Sequence, residues 1–202
     1  MNRTQASGSG WPGGRAAVAI RQAGPEDLPA LSDFFAGLSA YTRYLRFFGP
    51  VTPGAALLNA LAGLADNIDA LVAVRGGVIV GHALAVDRVE PWGARVTDIG
   101  VVVDDAWQSR GVGAALMRAL VTGAQARGVT TLEMDVLDSN RQVLAMITAH
   151  WPAARVDRNS DGLAIRVRLP QASSQPTAIT PLAHRIALPV SGDVRRQLRK
   201  PG

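Results

Sequence analysis

The sequence predicts a mixed α/β (α+β) domain, and three observations carry that prediction. The first is size and balance. The chain has 202 residues, 48% apolar and 18% charged, enough for one domain with its own core. The second is a pair of hairpin signals, Gly76-Gly77 and Arg158–Gly162, each lying between two strand-like runs. The third is a strand–helix–strand unit between Arg95 and Leu137, where the apolar period switches from 2 to 3.6 and back.

The elements follow in order. Residues 1–14 are rich in Gly and Ser and predict a flexible tail; the domain is expected over 15–170. Ala16–Ala23 reads as a first strand. Gly24-Pro25-Glu26-Asp27 is a turn opening a helix with Leu28, Leu31, Phe34, Phe35 and Leu38 on one face. Ser39–Phe48 predicts a second helix and Pro53–Leu64 a third. Ala70–Arg75 and Val78–Asp87 form the first hairpin. Gly93 follows a Pro-Trp turn and leads into a strand over Arg95–Val103. From Val112 the apolar and small residues fall at 112, 116, 119, 120 and 123, one face of a helix closed by Arg127-Gly128. In Val129–Leu137, Leu132, Met134 and Val136 alternate with Thr131, Glu133 and Asp135, as a half-buried strand requires. Asn140–Ala149 predicts a helix, and Ala154–Asp157 with Leu163–Leu169 the closing hairpin. Residues 171–202 hold four prolines and weak periodicity. They predict a disordered tail with at most a short helix near Val194–Arg199.

Charge and composition narrow the function classes. Residues 15–170 carry fifteen arginines and fifteen acidic groups, so the domain body is neutral. The net charge of +5 comes from the ends, chiefly Arg185, Arg195, Arg196, Arg199 and Lys200 against Asp193. A neutral body argues against a nucleic-acid-binding core. The tail keeps one such reading alive, a nucleic-acid-associated protein acting through residues 171–202. No apolar run reaches the roughly 18 residues of a membrane span, and the first 15 residues have no signal-like apolar stretch. The chain has no cysteine, which excludes disulfides, thiolate metal sites and a cysteine nucleophile and fits a cytoplasmic location. No His/Cys/Asp spacing suggests a metal.

The most informative stretch is Asp105-Ala-Trp-Gln-Ser-Arg-Gly-Val-Gly-Ala-Ala-Leu-Met117. Glycines at a helix entrance let an anion approach unpaired backbone N–H groups, and the helix dipole favours negative charge there. A P-loop needs Gly-Lys-Ser/Thr, and no such triplet exists. A dinucleotide loop needs a third glycine where Leu116 stands, and Asp104–Arg110 leave too long a gap after the strand; only Asp135, near the ribose-binding position, favours it. A helix start without a ligand is the plain structural alternative.

Gln108-Ser109-Arg110-Gly111-Val112-Gly113, with Val103 five residues before Gln108, resembles the pyrophosphate loop of the GNAT superfamily of acyl-CoA-dependent N-acetyltransferases. The resemblance runs from about Ala16 to Leu169 and is strongest over Val96–Asn140. Leu38-Ser39 and Thr42-Arg43-Tyr44-Leu45-Arg46-Phe47-Phe48-Gly49 are similar to a pattern of bacterial protein-lysine acetyltransferases that act on acyl-CoA synthetases. The resemblance implies a mostly antiparallel central sheet with helices on both faces and acyl-CoA in a cleft between two splayed central strands. It implies pantetheine along Val101, Val102 and Val103, and pyrophosphate on the N–H groups around Arg110, Gly111, Val112, Gly113 and Ala114. Arg110 would add a charge, Gln108 would cap the loop beside Ser109, and Asn140 would border the pantetheine. In that subgroup a Glu serves as general base five residues before the strand Val; here Asp98 stands there. Two departures are plain. The position of the family's Tyr general acid is Ile147, and the usual Gly-Phe after the last helix is replaced by His150-Trp151-Pro152.

The implied reaction is acetyl transfer from acetyl-CoA to a primary amine, a protein lysine or a small molecule. Asp98 would take the amine proton, through water because Asp is one methylene shorter than Glu. A non-catalytic acyl-CoA-binding module on the same fold is the alternative, and a homodimer is one assembly open to the chain. Each residue also has a structural reading. Asp98 would pair with an arginine such as Arg95, His82 would be a packed core histidine, and Glu90 a turn residue or a second base. Arg46 would anchor helices or line the acceptor site, Asn140 would be a helix N-cap, and Trp107 would cover the loop.

Overall fold

The computed structural model describes residues 17–159 and 162–170. The tails expected at 1–14 and 171–202, and the helix near Val194–Arg199, lie outside the described residues. Seven strands form one sheet: β1 (Ala19–Gln22), β2 (Ile68–Arg75), β3 (Val78–Val89), β4 (Arg95–Val103), β5 (Thr131–Val136), β6 (Arg155–Asn159) and β7 (Gly162–Arg168). Their spatial order is β1-β2-β3-β4-β5-β7-β6. Every pairing is antiparallel except β4 with β5. The mostly antiparallel sheet expected from the resemblance is therefore present.

Five helices cover the two faces: α1 (Leu28–Gly37), α2 (Ala40–Phe47), α3 (Ala55–Leu61), α4 (Val112–Ala126) and α5 (Arg141–His150). On one face Leu31, Phe34 and Phe35 of α1, Phe47 of α2 and Leu61 of α3 pack on Val72 and Val102. On the other, Leu116 and Leu120 of α4 pack on Leu71, Ala73, Ala83 and Ala85, while Met117 and Ala124 join Ile147 of α5 over Leu132, Met134 and Val136. Burying each large apolar side chain contributes about 2 kcal/mol. The buried stripe of α4 is Val112, Leu116, Met117, Leu120 and Ala124. It is turned by one position from the stripe the sequence suggested, because α4 must serve both the β2–β3 core and the β5–β7 core.

His82 of β3 is a core histidine, fully buried. Its Nε2–H donates to the Leu61 carbonyl at 2.7 Å, and its ring meets Phe35 edge-on at 5.4 Å. Burial pulls its pKa down to about 3; the Leu61 hydrogen bond opposes this and the Arg46 charge adds to it. The ring is therefore neutral in the folded chain and charges on unfolding. Its folded pKa lies below its unfolded value of about 6.5. Stability is then fully present above that value and is lost as the pH falls toward the folded pKa. Between pH 7 and pH 5 the wild type is expected to lose roughly 2 kcal/mol more than His82→Gln. Urea denaturation at the two pH values measures the difference, and parallel losses would mean that the folded ring accepts a proton.

Candidate active site

The site begins where the central sheet divides. β4 and β5 pair only at Val96↔Thr131, Thr97↔Leu132 and Asp98↔Glu133. Past Asp98, β4 continues to Val103 with β3 alone, and past Glu133, β5 continues to Val136 with β7 alone. The fork opens a cleft of about 640 Å³ whose lining includes Asp98, Gly100, Val101, Val102, Val103 and Glu133. The edge of β4 toward the cleft has no strand partner beyond Asp98, so its backbone groups remain for a ligand that mimics a strand.

The loop after β4 is tied down on both sides. The Asp105 carboxylate accepts from the Ser39 N–H at 2.9 Å, the Ser39 hydroxyl at 2.7 Å and the Thr42 hydroxyl at 2.6 Å. Burial alone would raise its pKa; the hydrogen bonds from Ser39 and Thr42 outweigh that and hold it below the usual range. Gln108 Nε2 donates to Thr42 Oγ1 and to the Val103 carbonyl, both at 3.2 Å. Ser39 and Thr42, quoted above only as part of a pattern, thus fix the loop to α2. On the other side Gln142 Nε2 donates to Ser109 Oγ at 3.2 Å, and Asn140 Oδ1 caps α5 by accepting from the Val143 N–H at 3.4 Å.

Ser109 has φ +57°, and Gly111, the N-cap of α4, has φ +83°. A left-handed serine is uncommon away from a functional constraint, and the left-handed N-cap favours glycine. Gly113 stands at the second position of α4, and a Cβ there would meet only Val103 Cγ2, at 3.5 Å. The loop therefore offers the N–H groups of the first helical turn to the cleft without side chains in the way. Gln108, Ser109, Gly111, Gly113, Ala114 and Asn140 line the cleft. Val112 is buried in the α4 core, and neither it nor Arg110 is among the residues that line the cleft. The Arg110 guanidinium lies over Trp107 at 5.1 Å, and Arg75 lies against the same ring at 4.5 Å.

Asp98 pairs with Arg88 of β3 at 3.0 Å, not with Arg95. Arg88 also holds Glu90 at 3.0 Å and Glu133 at 2.7 Å, and Arg166 of β7 holds Glu133 from the far side. Burial would raise the Glu133 carboxyl; the hydrogen bond and charge of Arg88, then those of Arg166, hold it below the usual range. The fork is thus an acidic corner in which three carboxylates meet two guanidinium groups. Asp98 and Glu133 face the cleft. Glu133, Thr42, Gln142 and Arg88 were not singled out as site residues from the sequence, because each acts through a partner distant in the chain. Ile147 is buried in the α5 core, and the α5 residues that line the cleft are Gln142, Val143 and Met146. Tyr41 and Tyr44 are exposed on α2. Among the described residues no group of three His, Cys, Asp or Glu could hold a metal ion, and no helix is long and apolar enough to cross a membrane.

The model of the acetyltransferase (GNAT) family matches residues 38–150. An L-amino acid N-acetyltransferase, AaaT, of Escherichia coli strain K12 is 42% identical over 60 residues, 29% of this chain and 37% of that relative. Among solved structures, the GNAT domain of S. lividans PAT superposes with a TM-score of 0.66 at 22% identity, covering 79% of this chain and 100% of that one. The yncA protein of Salmonella typhimurium, solved with its cofactor acetyl-CoA, gives 0.60 at 17% identity, covering 81% and 100%. These structures share the fold.

Proposed function

The chain belongs to the GNAT family of acetyltransferases, and from that premise we propose that it transfers an acetyl group from acetyl-CoA to a primary amine. The acceptor is a protein lysine or a small molecule, and the amine attacks directly with Asp98 as general base. One observation carries this reading. The fork at Asp98–Glu133 opens beside an unpaired strand edge, and the edge leads straight to a glycine-lined helix N-terminus. A strand edge suits pantetheine amides, and the helix N-terminus suits a pyrophosphate.

The division of labour follows. The first-turn N–H groups of α4 hold the pyrophosphate, and Gln108 keeps the loop on the end of β4. A backbone N–H near Val103 stabilises the oxyanion. The acceptor arrives as an ammonium ion, which the acidic corner attracts, and Asp98 takes one proton through a bridging water. The amine nitrogen then bonds to the thioester carbon, the C–S bond breaks, CoA leaves as the thiolate, and the nitrogen's second proton passes to that sulfur. Thiols have a pKa near 8.5, so the thiolate leaves without a dedicated acid. The apolar, inward-facing Ile147 is compatible with that.

The test uses the absence of cysteine in the chain. A thiol reagent reports only released CoA. Amine-dependent thiol release is expected with lysine peptides or with small amines, and the name of the E. coli relative puts L-amino acids first among the latter. Binding of acetyl-CoA without release for any acceptor would favour the non-catalytic acyl-CoA-binding module instead.

A further inference from the structure

Among the described residues no carboxylate pairs with Arg46 of α2. Its guanidinium lies across β4 at Gly100, where a Cβ would meet Cζ and Nη2 at 2.8 Å and Nη1 at 3.1 Å. A side chain at position 100 would have to displace the guanidinium. Arg46 Nε is buried without a hydrogen-bond partner. The guanidinium also lies 5.1 Å from the centre of the Phe47 ring. Loss of solvation pulls the guanidinium down to about 10, yet it remains charged at neutral pH. Arg46 is half-buried, and a guanidinium whose Nε is shut away from water without an acceptor is costly. Its place in the cleft lining explains this if the partner arrives with the substrate.

The position of that partner is defined by the strand. Asp98 and Gly100 pair with Val86 and Leu84 and lie two residues apart on one face of β4. Successive same-face positions are about 7 Å apart. One pleat therefore separates the acidic corner from the free guanidinium. Around them the cleft wall is apolar, with Leu45, Leu57, Leu61, Leu84 and Val86.

We infer that the acceptor is a small amine that also carries a carboxylate, an α-amino acid with an apolar side chain, and that Arg46 binds this carboxylate. The inference rests on the acetyltransferase reading above and deepens it. The ammonium group faces Asp98 and Glu133, the carboxylate meets Arg46, and the side chain meets the leucines and Val86. A protein lysine threaded into the same cleft brings no anion to Arg46 and leaves its buried Nε unbonded. A site with a buried polar group discriminates strongly against a substrate that fails to pair it.

The experiment compares glycine and the standard L-amino acids other than cysteine with their carboxamides as acceptors, at saturating acetyl-CoA, by thiol release. In the wild type the best apolar amino acid is expected to exceed its own amide by about 10- to 100-fold in kcat/KM, mostly through KM. Arg46→Gln should bring the pair to within a few-fold of each other, Arg46→Lys should restore part of the gap, and acetyl-CoA affinity should be retained. Equal use of acids and amides by the wild type, or an equal loss on both in Arg46→Gln, overturns the inference while acetyl transfer stands. Turnover of lysine peptides alone does the same. If no acceptor of any class supports release, the acetyltransferase reading falls and this inference with it. The wild-type comparison decides the matter even if Arg46→Gln does not fold, which a thermal melt would reveal.

Discussion

Gly113→Glu is expected to raise the Kd for acetyl-CoA by at least about 100-fold, roughly 3 kcal/mol, while leaving the fold as stable as before or more so. The two effects separate because of where the residue stands. A Cβ at position 113 meets only Val103 Cγ2 at 3.5 Å, so no packing has to move. Glycine inside a helix costs about 1 kcal/mol relative to a residue with a side chain, and a carboxylate in the first turn of a helix is favourable. The same carboxylate occupies the space above the α4 N–H groups and repels a pyrophosphate there. Calorimetric titration with acetyl-CoA, paired with a thermal melt, reads both quantities. Micromolar binding by the variant would remove the phosphate role of the α4 N-terminus.

Asp98→Asn is expected to lower kcat by about 10²- to 10⁴-fold with little change in acetyl-CoA affinity. Asparagine keeps the shape and an oxygen for Arg88 but has no site for the amine proton. Arg88 keeps Glu90 and Glu133 as partners, so the substitution leaves no cation stranded. Single-turnover thiol release isolates the chemical step, and calorimetry follows cofactor binding. Persistent turnover would make Asp98 one member of an ion-pair cluster and move the proton acceptor elsewhere. Glu133, opposite Asp98 across the fork, would be tested next.

Much of the fold was legible in the sequence, for a physical reason. Strand and helix periods are local. Arg95–Val103 reads directly as β4, and Leu132, Met134 and Val136 show the buried face of β5. The 13 residues from Asp105 to Met117 carry the glycines of the loop, and unpaired N–H groups at a helix start need no distant partner to be recognised. The expectation for Asp98 was half legible. Its place on β4 follows from counting along the strand, but its partner does not. Arg88 reaches it because β3 and β4 are antiparallel with Arg88 opposite Val96 and Val86 opposite Asp98, a matter of register. Likewise Asp105 meets Ser39 and Thr42, 66 and 63 residues away.

The sequence by itself determined the elements, the neutral body with basic ends, and the glycines at the start of α4, because each is read from local composition or from neighbours within about one helical turn or one strand. Only the tertiary structure decided where β4 and β5 part company and which charges meet at the fork. It also decided that Arg46 comes to rest over Gly100 with no carboxylate beside it among the described residues. Those outcomes depend on register, on packing across the sheet, and on the loss of water around a single guanidinium, none of which is written in a local pattern.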